Sequence, residues 1–368
     1  MDQAEIQSTD SAIEEAQAAL ERGMKHHENK DYDKAIEAFN EAVRLDPNFA
    51  RAYRNRGSAY YDTGQYDTAI GDLSEAIRLD PNYVNAYTDR GAAYNQKDQY
   101  DQAISDCTEA IRLDPNNASA YGIRGVAYNQ KGQYDQAISD STEAVRLDPD
   151  YAQAYCNRGE AYRMQGQPDQ AIEDFNEAVR LEPNYAQAYA LRGIAYNLKG
   201  QYDQAISDCT EAVRLNPNHA RAYSTRAEAH RMKGQFDEAI SDCTETIRLN
   251  PNFAFAYVSR ANACRMKGQF DQAVSDCTEA IRLDPDYAWA YASRANAYRM
   301  NGQYDTAIAD LSEAIRFDPN YAWAYGIRGK IYGQLGQKNQ AILDLEKTLT
   351  LNPGLEWARQ ELREIRGD

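Results

Sequence analysis

Ten prolines, Pro47, Pro81, Pro115, Pro149, Pro183, Pro217, Pro251, Pro285, Pro319 and Pro353, each stand 34 residues after the one before. A period of that length that never slips marks a tandem array, in which each unit covers its apolar face with the next and core is added by stacking. Only Pro168 falls outside the series. The 368 residues could hold two ordinary domains, but the period assigns them to a linear array. With each proline at position 32, the units are 16–49, 50–83, 84–117, 118–151, 152–185, 186–219, 220–253, 254–287, 288–321 and 322–355. Residues 1–15 form an N-terminal segment, and 356–368 are left over at the other end.

The other constant positions describe two helices and a turn. Position 20 is Ala in every unit, from Ala35 and Ala69 to Ala341, and position 8 is Gly or Ala, from Gly57 to Ala261 and Gly329. Small residues at both sites let two helices approach closely. Position 15 is usually Gly, as in Gly64 and Gly132, the residue a helix end needs when its backbone turns to positive φ. Three residues on, Asp67, Asp101 and Asp135 put negative charge in the first turn of a second helix, where it complements the dipole.

This pattern resembles the tetratricopeptide repeat family, whose consensus W-x2-L-G-x2-Y…A-x3-F…P is matched by Tyr189, Gly193, Tyr196, Ala205 and Pro217 within one unit. The resemblance covers 16–355. It implies an all-α fold, an alpha-alpha superhelix in which antiparallel helix hairpins stack into a right-handed solenoid. The first helix of each pair would line a concave groove where partners lie. Residues 356–368, EWARQELREIRGD, read as an unpaired first helix that caps the array with a charged face. At the other end Ser11 and Glu14 have capping-box spacing, which predicts a helix start near residue 12 with the residues before it frayed.

Two positions depart from the consensus. Tyr takes the place of Trp at position 4, a mild change. At position 7, where the family prefers Leu, every unit has Arg, from Arg22 and Arg56 to Arg328. At about 100° per residue this position lies on the packed side of its helix, so the guanidinium needs partners. Position 23 is Asp in the later units, including Asp72, Asp106, Asp208 and Asp344, and antiparallel pairing sets it opposite. An internal ladder of Arg and Asp is the expectation.

Composition narrows the functional classes. A net charge of −17 repels polyphosphate and anionic lipid surfaces, so nucleic acid and membrane are not expected as partners. No apolar run approaches the roughly 20 residues that span a bilayer. The start, MDQAEIQSTDSAIEEA, lacks the basic and apolar regions of a secretory signal, which makes a cytoplasmic location the expectation. No catalytic, metal-binding or cofactor-binding residue is assigned. The carboxylates recur at equivalent surface positions, no P-loop, HExxH or nucleophile elbow occurs, and the glycines are spaced for helix ends. His26 and His230 occupy position 11, a slot held elsewhere by Tyr, and read as core substitutes. Cys107, Cys209, Cys243 and Cys277 share position 24 as small core hydrophobes. Cys264 should face Cys277 inside one hairpin, either as two reduced thiols or as a redox pair.

Where the units differ is more informative, because close copies such as the repeated QYDQAISDCTEA keep even neutral positions alike. Positions 2, 9 and 13 fall within about 40° of one another, and position 12 flanks them. With positions 5 and 6 they make up the stripe that the family turns into its groove. Position 2 is Gln17, Arg51, Asn85 and Ser119 early on, but Phe255, Trp289, Trp323 and Trp357 late. Beside them stand Arg231, Arg265 and Arg299 at position 12, Met232, Met266 and Met300 at position 13, and Asn262 and Asn296 at position 9. Trp and Arg dominate interface hot spots, and Met adapts to varied partners. The expected function is a non-catalytic adaptor that binds a protein or peptide in the C-terminal half of the groove. The plainer reading has the rings only shielding seams between units, and a third has the late groove or the terminal helix joining copies into a homo-oligomer. The clamp with which some family members hold chaperone C-terminal carboxylates is missing, since position 5 is never Lys and Ser259, Ser293 and Ile327 stand where its Arg would be.

Overall fold

The computed structural model describes residues 3–367, with side chains from residue 12 to 367. Every regular element among them is an α-helix, and the chain divides into two compact units between Asn184 and Tyr185. The first unit holds α1 (Gln3–Glu28), α2 (Tyr32–Leu45), α3 (Ala50–Asp62), α4 (Tyr66–Leu79), α5 (Val84–Gln96), α6 (Tyr100–Leu113), α7 (Ala118–Gln130), α8 (Tyr134–Leu147), α9 (Ala152–Met164) and α10 (Pro168–Leu181). The second holds α11 (Ala186–Leu198), α12 (Tyr202–Leu215), α13 (Ala220–Met232), α14 (Phe236–Leu249), α15 (Ala254–Met266), α16 (Phe270–Leu283), α17 (Ala288–Met300), α18 (Tyr304–Phe317), α19 (Ala322–Gln334), α20 (Lys338–Leu351) and α21 (Glu356–Arg366). From α3 on, the first helix of each hairpin occupies positions 1 to 13 of the repeat and the second positions 17 to 30.

The turn inside each hairpin follows from one residue. Gly64, Gly132, Gly166, Gly200, Gly234, Gly268, Gly302 and Gly336 all have φ between 71° and 76°, and the two hairpins without Gly there force Lys30 and Asp98 to φ of 59° and 57°. Close approach of the paired helices rests on positions 8 and 20. A Cβ built on Gly57 would lie 3.2 Å from the carbonyl oxygen of Ala69, and one on Gly159 3.1 Å from that of Ala171.

The Arg and Asp ladder is present in every hairpin from α3–α4 to α19–α20. Arg124 is representative: Nε donates to Asp140 Oδ2 at 2.7 Å and Nη2 to Oδ1 at 2.8 Å. Its Nη1 reaches back to Thr108 Oγ1 of the preceding hairpin at 3.0 Å, and the guanidinium lies 5.6 Å from the centre of the Tyr121 ring. The same donation to a side chain sixteen residues earlier runs from Arg56 to Asn40, Arg90 to Ser74, Arg226 to Thr210 and Arg328 to Ser312. One arginine therefore closes its own hairpin and stitches it to the one before, which satisfies a charge that would otherwise be stranded.

Two expectations change. α1 begins at Gln3, so Ser11 and Glu14 lie inside it and not at its start. Capping-box spacing marks a boundary only where the backbone leaves helical geometry, and here it does not; the Ser11 side chain is outside the described residues. His26 is no core substitute, since its side chain is 38% exposed, whereas His230 is buried beside Asp242 and bonded through Nδ1 to Gln235. Cys264 and Cys277 do share one core cluster, with Ala261, Ala273 and Ala297, as free thiols. Burial pushes the Cys264 thiol up to about 11.

At the C-terminal end α21 packs its Ala358 and Leu362 against Leu345. Trp357 lies so close over Gly326 that an added Cβ would meet its ring at 2.5 Å, and Ile365 covers Gly333 in the same way at 2.8 Å. Gly367, at φ 84°, ends the helix.

Candidate partner-binding cleft

The first helices of the late hairpins, α15, α17 and α19, present a cleft of about 360 Å³ lined by Asn262, Arg265, Trp289, Ser293, Asn296, Tyr321 and Trp323. Five of these are residues the stripe of variable positions singles out. Each ring is held from behind. Trp289 packs on the cluster of Val258, Ala280 and Ala290, lies tilted against Phe255 at 5.5 Å and meets Tyr287 edge-on at 5.9 Å. Trp323 packs on the next cluster, around Leu311, Ala324 and Ile327, with Tyr321 stacked on it at 6.1 Å. The tryptophans thus cover a seam with one part of the ring and wall the cleft with another, and burial lifts the Tyr287 and Tyr321 hydroxyls to about 12.

The polar floor is less evenly satisfied. The Asn262 side-chain amide donates to Val258 O at 3.0 Å and to Ser293 Oγ at 3.3 Å. Arg299 donates to Asn296 Oδ1 from both Nε and Nη2, at 3.1 and 2.9 Å. Arg265 has no carboxylate beside it among the described residues, and its Nε is shielded from solvent without an acceptor. Burial lowers its pKa, and the neighbouring charges of Arg299 and Arg231 lower it further.

Other residues of the stripe are placed differently. Phe255 lines a second cleft of about 420 Å³ with Ile194, Leu198, Arg221, Glu228 and Phe253. Arg231 is paired to Glu228 at 2.6 Å and lines neither cleft. Met232, Met266 and Met300 stand 47%, 52% and 48% exposed beyond both. Trp357 packs in the seam between α19 and α21. Two lining residues escaped sequence reasoning. Tyr321 sits just before its helix, at position 34, and Ser293 stands at position 6 of the variable stripe but is not among the residues singled out there. The available signal was the Tyr-Ala-Trp order at 321–323, which brings two rings to one helix start.

Among the described residues no helix is long and apolar enough to cross a membrane, and no group of three His, Cys, Asp or Glu side chains could hold a metal ion. Tetratricopeptide repeat models match residues 84–117, 152–185, 186–219, 220–253 and 254–287. Further repeat models of the same kind match 23–64, 57–98, 125–166 and 295–336, then 107–139 and 277–309, and finally 324–354. No curated protein matches the chain. Among solved structures, one of the APC/C hetero-tetramer Cut9-Hcn1 aligns over 97% of this chain and 84% of its own, at 17% identity and a TM-score of 0.59. A tetratricopeptide repeat protein from Parabacteroides merdae aligns over 67% of this chain and 98% of its own, at 20% identity and a TM-score of 0.51. With repeat matches running nearly end to end and helix hairpins in the same register, the chain belongs to the tetratricopeptide repeat family of protein-interaction scaffolds.

Proposed function

We propose that this protein is a non-catalytic adaptor that binds an extended segment of a partner protein in the cleft on α15, α17 and α19. The observation that carries this reading is the aromatic pair Trp289 and Trp323, rigidly backed by core and open on the cleft side, with Asn262, Arg265 and Asn296 between them. Backed rings lose little entropy when a ligand covers them, and a polar floor between them sets the register of a peptide backbone. Equivalent positions in earlier hairpins, Arg51, Asn85 and Ser119, are exposed and polar, so the seams there close without an aromatic ring.

A peptide-array screen comparing the intact protein with a Trp289→Ala, Trp323→Ala variant of matched helicity tests this. Spots bound by the intact protein should fade at least about tenfold in the variant, as expected when hot-spot rings are truncated. Equal binding by both would move the site elsewhere. A mass that grows with concentration, and reverts in Trp323→Ala, would instead support self-association through this face.

A further inference from the structure

Two helices of this array carry a Glu three residues before the Arg at position 12, and two do not. In α9, Glu160 pairs with Arg163 at 2.7 Å, and in α13, Glu228 pairs with Arg231 at 2.6 Å. In α15 and α17 the Glu is replaced by Asn262 and Asn296 while Arg265 and Arg299 remain. Arg299 recovers an amide oxygen, but the half-buried Arg265 recovers no acceptor for its Nε, and the charges of Arg299 and Arg231 act on it. The site of the missing carboxylate opens onto the cleft walled by Trp289 and Trp323. In a protein of net charge −17 this is a local positive centre.

We infer that the cleft selects a segment with an acidic side chain, whose carboxylate pairs with the Arg265 guanidinium in place of the Glu that α9 and α13 carry, while an apolar neighbour packs between Trp289 and Trp323. This rests on the proposed peptide-binding role and names the chemistry of the ligand. The partner is an internal acidic segment and not a chain end, because the lining continues past the carboxylate position. The contact of Phe255 with Trp289 joins this cleft to the next, and the chain can run on along it. A guanidinium with no internal partner favours a carboxylate for the same reason it is strained alone: its charge is partly desolvated and the nearest fields are repulsive. Arg265, at position 12, is not a residue of the chaperone-tail clamp, whose Lys and Arg positions hold Val258, Trp323 and Ile327 here.

Two of the three tryptophans of the protein wall this cleft, so their emission reports binding directly. The probe is a Trp-free peptide, Gly-Glu-Leu-Glu-Leu-Glu-Gly, blocked at both ends, titrated against its Gln-for-Glu counterpart. The acidic peptide should bind at least about tenfold more tightly, the value of one charge-assisted pair. The difference should shrink several-fold between about 0.05 and 0.3 M salt. Asn262→Glu restores the internal pair that α9 and α13 already tolerate, and it should bring the acidic peptide down to the level of the Gln peptide, as should Arg265→Gln. Equal binding of both peptides, unchanged in these variants, overturns the carboxylate inference and leaves the peptide-binding role standing. Failure of both peptides on intact protein that still binds array spots also overturns it. Failure on protein that binds no spots overturns the role itself. Tight binding only of a Gln peptide with a free C-terminus would show that the site takes a chain end, which likewise sinks the inference.

Discussion

At the scale of single residues, the array sets one side chain against another across each hairpin. Position 8 faces position 24, and wherever position 24 is Phe, position 8 is Gly. Gly23 and Gly159 stand opposite Phe39 and Phe175, where an added Cβ would meet ring carbons at 2.4 and 2.8 Å. Ala occurs at this position only as Ala227, Ala261 and Ala295, opposite Cys243, Cys277 and Leu311. A thiol or a Leu side chain can move aside, whereas a ring that is fully buried cannot. Gly159→Ala is therefore expected to cost about 1–3 kcal/mol by overpacking, measured by urea unfolding, and Phe175→Leu in the same background should recover part of it. Both positions were visible in the sequence, but their opposition was not, because it depends on how far the paired helices are staggered.

At the scale of the hairpin, the ladder is what distinguishes this array from the family pattern with Leu at position 7. Asp140 is 6% exposed and takes two hydrogen bonds from Arg124. Arg124→Leu should destabilise by about 3 kcal/mol, since it leaves a buried carboxylate without a partner, even though Leu suits the family consensus. Arg124→Leu combined with Asp140→Leu should regain most of the loss, and a double-mutant cycle from chemical unfolding would read the coupling. If the single Leu variant were as stable as the parent, the ladder would be a bystander to packing. The intra-hairpin half of this network could be derived from helix periodicity and antiparallel pairing. The backward bond to Thr108 could not, because it joins residues of different hairpins.

At the scale of the whole molecule, stability in such an array accrues from each hairpin and its nearest neighbours. α21 has no second helix, and it closes the face formed by Gly326, Gly333 and Leu345. Ending the chain after Leu355 should loosen α19 and α20 by on the order of 3 kcal/mol, from the lost burial of Trp357, Leu362 and Ile365. Hydrogen exchange should show faster opening in α20 with α2 to α10 unchanged. Loss of protection spread evenly along the chain would contradict nearest-neighbour stacking. Uncovering that face should also make the truncated protein associate as its concentration rises.

The sequence by itself determined the helical class, the number and register of the hairpins, the glycine turns and the Arg and Asp pairs, because each follows from periodicity and from contacts within about one repeat. It also pointed to the late first helices as the place where the copies diverge. Only the tertiary structure decided which residues of that stripe act together. Trp289, Trp323, Asn262, Arg265 and Asn296 converge on one cleft with Tyr321 and Ser293, while Trp357 is taken by α21, the methionines stand apart, and Arg231 is neutralised by Glu228. The physical reason is that a cleft is made between neighbouring hairpins. The angle and spacing at which they stack choose its walls, and no single helix carries that information.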